Sequence, residues 1–188
     1  MSLLSSLQGM WVLLFTALVV AADQITKLAV KERFYLGESI ELLGDVVRFT
    51  YIQNPGMAFG LSFGSPMFFT IFASVASVII LIYLYRMRRE PFHSRLSLAF
   101  ILGGAIGNLI DRFAYGKVID FIDVGFNNTR WPVFNVADSA VTIGMIILVT
   151  LVLFEGQKAE APAPAKFPVQ PPAPSDENDN WRNVKNSN

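Results

Sequence analysis

The chain has 188 residues, 53% of them hydrophobic and only 16% charged, with 15 basic and 15 acidic residues in balance and a mean hydropathy of +0.45. Soluble domains average about 25% charged residues, so this is the composition of a membrane protein, and the balanced charge leaves no basic face for a nucleic acid. With no cysteine, disulfides, thiol catalysis and cysteine metal sites are excluded; the single histidine, His93, read as a solvent-facing loop residue, is too little for a His-based triad or a multi-histidine zinc site, so neither metal nor cofactor is expected.

Four uncharged stretches organise the chain. Met1 to Ala22 is the first. It lacks a basic leader, and Ala21-Ala22 runs into Asp23-Gln24 rather than a small-residue cleavage site, so it reads as a retained helix and not a signal peptide. Phe49 to Tyr85 is charge-free, most apolar from Pro66 onward. Leu96 to Ile110 and Ser139 to Phe154 fall short of the roughly 20 residues a spanning helix needs. They reach that length by including Asp111 and Asp138, which places both acids near a membrane surface. The expected architecture is mainly α, an integral membrane domain over residues 1–155 with spans near 7–26, 66–85, 95–113 and 134–154.

The connection Arg86 to Arg95 carries four arginines against one acid. Positive loops remain in the cytoplasm, so spans two and three meet there and both termini are cytoplasmic. Tracing the chain then puts Asp23, Asp111, Asp120 and Asp138 on the outer side. Between spans one and two, Val46 to Ile52 is rich in β-branched and aromatic residues and reads as a strand. Turns at Gly37, Gly44, Asn54-Pro55-Gly56 and Gly60 surround it, predicting a small extracytoplasmic β platform. Val118 to Asp123 reads as a loop packed on the helix ends. From residue 156 to 188 the chain is Pro-rich and polar, the composition of a disordered cytoplasmic tail.

Charged groups in spans are costly and mark working sites. The third span ends Gly103-Gly104-Ala105-Ile106-Gly107-Asn108-Leu109-Ile110-Asp111-Arg112. Gly103 and Gly107 share a helix face that allows close approach, and Asn108, Asp111 and Arg112 neighbour one another a turn later. The fourth opens with Asn135, Asp138, Ser139 and Thr142 as a polar stripe; Asn135 also fits a helix N-cap, with Asp138 complementing the dipole. Asp23 and Lys27, four apart, fit a helix ion pair. Two carboxylates in one site resist ionising together and hold one proton between them. One can then activate water while the other protonates a carbonyl. Asp138 and one of Asp120 or Asp123 supply such a pair, with Asn108, Asn135 and Arg112 as donors; the residues themselves leave that choice open.

Five blocks, in this order, carry a resemblance: Asp23-Gln24-x-x-Lys27; Asn54-Pro55-Gly56-x-Ala58-Phe59-Gly60; Gly103-Gly104-Ala105-x-Gly107-Asn108-Leu109-Ile110-Asp111-Arg112; Val118-Ile119-Asp120-Phe121; and Phe134-Asn135-x-Ala137-Asp138. Over residues 8–155 the chain resembles bacterial lipoprotein signal peptidase, the signal peptidase II family of aspartyl peptidases. The resemblance implies catalytic aspartates at Asp120 and Asp138, against Asp123. It implies site-supporting or substrate-binding roles for Asp23, Lys27, Asn54, Gly56, Gly104, Asn108, Asp111, Arg112 and Asn135. The implied substrate is a prolipoprotein carrying diacylglycerol on a cysteine, cut just before that cysteine at the outer face of the cytoplasmic membrane. Implied partners are membrane lipid and globomycin-type inhibitors, with no nucleic acid; a monomer is expected. Ile119 stands where the family more often has valine. Two other classes fit intramembrane acids: a small transporter or proton pathway, and a non-enzymatic assembly factor using the glycine face. The first favours internal repeats and midplane acids, which this chain lacks; the second would tolerate loss of Asp120.

Overall fold

Apolar runs too long for a soluble helix surface become four helices in the structure, a computed structural model that describes residues 3–56, 66–88 and 90–159. They are α1 (Leu3–Arg33), α2 (Pro66–Arg86), α3 (Phe92–Tyr115) and α4 (Val136–Ala159). Pro66 opens α2, where a missing N–H costs nothing. Gly116, left-handed at φ 70°, closes α3 by donating its N–H to Arg112 O. Lys31, Arg33 and Arg86 lie in last turns, complementing the negative ends of their helix dipoles. The stretches Met10–Arg33, Met67–Arg86, Phe92–Tyr115 and Val136–Phe154 are each long and apolar enough to cross a membrane. The Pro-rich tail and the block Met57 to Gly60 lie outside the described residues.

α3 is the central helix and packs against the other three. Contacts ascend with α1: Thr16 Oγ1 donates to Ala99 O at 3.3 Å, Val19 lies against Gly103, and Asp23 against Gly107. The two helices therefore run parallel. With α4 the contacts descend, Gly104 against Ala137 and Val141, then Ser97 and Ile101 against Gly144, so that pair is antiparallel. In lipid the helices gain little by leaving solvent, and small residues that let backbones meet supply the packing. Gly103 and Gly107 share the face toward α1, as their spacing predicts, while Gly104 turns to α4. A Cβ at Gly104 would overlap the carbonyl oxygen of Ala137, so this position sets the α3–α4 separation.

Two pairs of strands form the platform: β1 (Ser39–Leu43) and β2 (Val47–Asn54) before α2, β3 (Val118–Phe126) and β4 (Thr129–Arg130) before α4. They make an antiparallel sheet in the order β1-β2-β3-β4. The expected platform between α1 and α2 is present, but it is completed by the later connection. Val118 to Asp123, read as a loop, is strand: Val118, Ile119, Ile122 and Val124 are β-branched, and β2 offers a partner edge that the local sequence does not reveal. Val30, Tyr51, Ile119 and Phe121 form a core joining sheet to α1, with Phe49 and Phe121 edge-to-face at 5.6 Å. At the outer edge Asp45 binds Arg48 and Arg130, tying the hairpins together. The helices differ from the expected spans at their ends. α1 runs beyond residue 26 to Arg33, with its buried charges Asp23 and Lys27 paired to each other and Lys27 also to Asp111, and α4 starts at Val136, after Phe134 is bridged to Ile122. His93 is in the first turn of α3 rather than a loop, and is exposed.

Candidate active site

The site is assembled where α1, α3, β2, β3 and α4 meet, and one asparagine links its two acids. Asn135 is the N-cap of α4: its Oδ1 accepts the Asp138 N–H at 2.9 Å, while Asp138 Oδ2 accepts the Asn135 N–H at 3.3 Å. This reciprocal box fixes the Asp138 side chain. The Asn135 amide also donates from Nδ2 to Asp120 Oδ1 at 2.7 Å. Helix cap and site residue, alternatives in the sequence, are one arrangement. Asn108, on α3, donates from Nδ2 to the other Asp138 oxygen at 2.8 Å. Asn54, at the end of β2, donates to Asp120 Oδ2 at 3.0 Å. The register pairs Ile52 with Asp120 and Asn54 with Val118, so Asn54 and Asp120 are diagonal neighbours on one face of the sheet.

Strand alternation separates Asp120 from Asp123. An odd spacing sends them to opposite faces. Asp123 accepts from Thr50 Oγ1 at 2.9 Å and Arg130 Nε at 2.6 Å, a sheet-stabilising role. Asp120 faces a cleft of about 250 Å³ lined also by Asn54, Gly56, Phe69, Arg112 and Asp138. Asp120 is 2% exposed. Burial above all, then the charge of Asp138, pushes its carboxyl up to about 7, opposed by the hydrogen bonds from Asn54 and Asn135 and by Lys27.

Behind the pair lies a buried ionic frame. The Lys27 ammonium, 1% exposed, meets Asp23 Oδ2, Asp111 Oδ2 and Asn108 Oδ1, each at 2.9 Å. Its three donors thus have three acceptors, the condition under which a buried cation is tolerated. Asp23 Oδ1 accepts the Ala137 N–H at 2.9 Å, capping α4 from α1, and Asp111 Oδ2 accepts the Ile119 N–H at 3.0 Å, anchoring β3. Gln24, quoted in the sequence motif but given no role, ties Asp23, the Gly107 carbonyl and Asp111 at 3.1–3.2 Å. The Gly56 N–H donates to Asn54 Oδ1 at 2.9 Å. At φ 114° it favours glycine, and a Cβ would strike Phe69. Arg112, half-buried, donates to Asn108 O at 3.4 Å and edges the cleft. Phe69, Trp131, Pro132, Val133 and Phe134 also line it; the sequence reading missed them, and Trp131-Pro132 in a short connection was the available signal. Among the described residues no His, Cys, Asp and Glu group has metal-binding geometry.

Four spanning helices, with two amide-bound carboxylates at one cleft where the sheet meets them, define an integral membrane protein built around a polar site. The family model for Signal peptidase (SPase) II matches residues 15–154. The lipoprotein signal peptidase of Syntrophomonas wolfei is 46% identical over 143 residues, covering 76% of this chain and 93% of that one. That of Brevibacillus brevis is 42% identical over 149 residues, covering 79% and 99%. Two solved structures of a bacterial membrane enzyme, determined by the in meso method at 2.3 Å and 1.9 Å, superpose with TM-scores of 0.67 and 0.63 at 31% and 33% identity; they cover 82% and 76% of this chain and 94% and 92% of those chains. The chain belongs to the signal peptidase II family. It is a multi-pass membrane peptidase, and the transport and assembly alternatives are set aside.

Proposed function

We propose that the chain removes the signal peptide from prolipoproteins whose cysteine carries diacylglycerol, cutting on the N-terminal side of that cysteine, with Asp120 and Asp138 as the catalytic pair. The observation that carries this reading is the double use of Asn135, whose side-chain amide donates to the Asp120 carboxyl and whose backbone N–H donates to the Asp138 carboxyl. The pair shares a proton. Ionised Asp138 takes a proton from water, and the resulting hydroxide equivalent attacks the scissile carbonyl carbon. Asp120, whose raised pKa of about 7 keeps it protonated near neutrality, donates to the carbonyl oxygen. Collapse of the tetrahedral diol breaks the C–N bond as Asp138 passes its proton to the leaving amine and ionised Asp120 takes one back from a diol hydroxyl, restoring one shared proton.

Asn54, Asn108 and Asn135 orient the acids, and Arg112 positions substrate at the cleft edge. Asp23, Lys27 and Asp111 fix the helices behind them, Gly56 admits substrate beside Phe69, and Gly104 seats α4. The site faces outward from the bacterial cytoplasmic membrane with both termini inside, a placement supported by the arginines joining α2 to α3. Lipid surrounds the substrate, globomycin-type inhibitors occupy the cleft, and the chain acts as a monomer.

The test incubates purified protein with a diacylglyceryl-modified prolipoprotein and with its unmodified form, each with and without globomycin. Only the modified substrate is cut, and globomycin stops the cut. Asp120→Asn or Asp138→Asn lowers the rate by about 10³-fold or more while the protein stays folded. Full activity in either variant ends the catalytic assignment; equal cleavage of both substrates ends the lipid requirement.

A further inference from the structure

At the end of α3 farthest from Asp111 and Arg112 lies a buried cation that the Asp120/Asp138 centre does not use. Arg95 is 3% exposed, and among the described residues its Nε and Nη1 have no hydrogen-bond partner. Lys27 is just as buried but has a full set of acceptors. A dry guanidinium without an anion is a costly state, so the Arg95 environment is incomplete as it stands.

A second observation comes from the helix start. α3 follows Pro91 with no side-chain cap and no acid in its first turn. Its first intrahelical bond runs from the Arg95 N–H to Pro91 O at 3.4 Å, with the positive end of the helix dipole ahead of it. Such a terminus attracts an anion. A helical side chain leans toward the N-terminus of its helix, which brings the Arg95 guanidinium toward the same turn. The depth matters too. Phe92 begins a membrane span, so this turn sits at the level of lipid headgroups, where the abundant anion is phosphate. The connection from Arg86 to Arg95 contains one acid, Glu90, which is exposed.

We infer that Arg95 and the first turn of α3 form a binding site for the phosphate of an anionic phospholipid, on the membrane surface opposite the Asp120/Asp138 centre. The planar fork of the guanidinium suits two phosphate oxygens.

Thermal unfolding of the full chain in lipid-free detergent tests this, with additions of phosphatidylglycerol, of a glucosyl diacylglycerol lacking phosphate, or of inorganic phosphate. Phosphatidylglycerol is expected to raise Tm by several degrees and the other two to leave it within one degree. Arg95→Gln removes most of that response, whereas Arg86→Gln, at an exposed neighbour, keeps it. Without lipid, Arg95→Gln unfolds no lower than the parent, because a buried unpaired charge has gone. Arg95→Lys, which keeps charge but not the fork, serves if the Gln variant fails to fold, and retains less than half the response. An equal shift with inorganic phosphate or with the glycolipid overturns the assignment, as does an unchanged phosphatidylglycerol response in the Arg95 variants.

Discussion

Lys27 shows how much of a site a local pattern conveys. Its spacing from Asp23 announces an ion pair, and that pair exists at 2.9 Å. Asp111 and Asn108, brought by another helix, complete the coordination, and no local rule predicts them. Lys27→Met leaves two buried carboxylates facing each other, and breaking a buried ionic group of this kind costs about 3–5 kcal/mol. Thermal unfolding in detergent is expected to show that loss, with recovery when Asp23→Asn and Asp111→Asn are added. Asp120 gives a different signature. Its carboxyl is raised in the folded chain to about 7 from the model-peptide 3.8, so between those pH values the folded state binds a proton that the unfolded chain has released. Stability from this group is therefore full below about pH 4 and is lost as pH rises through about 7. Asp120→Asn removes that slope: relative to the parent, the variant's Tm improves steadily from pH 4 to pH 8, and a pH-independent difference contradicts the raised pKa. Cleavage by the parent falls above about pH 7 as the shared proton leaves. The residues by themselves left the choice between Asp120 and Asp123 open and only the family resemblance favoured Asp120; the strand Val118–Phe126 adds a physical reason, since it sends the two to opposite faces.

The helices were legible because their signal is composition over about 20 residues; their ends were not, since α1 continues past the paired charges Asp23 and Lys27 and α4 starts only after Phe134 is bridged to Ile122. The sheet was half legible. Val46 to Ile52 carries strand chemistry that stands alone, whereas β3 depends on pairing with β2, residues far away in the chain, as the register of Asn54 with Val118 shows. The glycines of α3 announced close packing without naming the neighbour. Gly104→Ala places a methyl against the Ala137 carbonyl and forces α4 outward, at a cost of about 1–3 kcal/mol. Because Asn135 and Asp138 ride on that first turn, cleavage should fall further than stability. Gly37→Ala is the control: φ is +87° with nothing within 4 Å, so strain costs about 1–2 kcal/mol while cleavage persists. Equal activity in the two variants would show that the α3–α4 separation does not govern the site.

For the whole molecule, the arginine asymmetry makes a direct topological prediction, and the lack of native cysteine makes it easy to check. Asn128→Cys, on the platform, should react with a membrane-impermeant maleimide in intact cells, and Arg86→Cys only after permeabilisation; labelling of both from one side refutes the proposed orientation. α2 stands apart from the rest, since it packs chiefly on α3 and leaves most of its surface to lipid. Between α2 and α3 a groove of about 670 Å³, lined by Met67, Thr70, Ile71, Ser74, Val75 and Phe113, reaches Arg112, which also borders the cleft of the two acids. For the lipid-anchored substrate proposed above, this groove is a sideways approach that never leaves the bilayer. Encounters of that kind are governed by how many molecules share a patch of membrane and not by how many share a litre of buffer. Adding inert lipid at constant amounts of both proteins would then slow turnover, although every bulk molarity stayed the same.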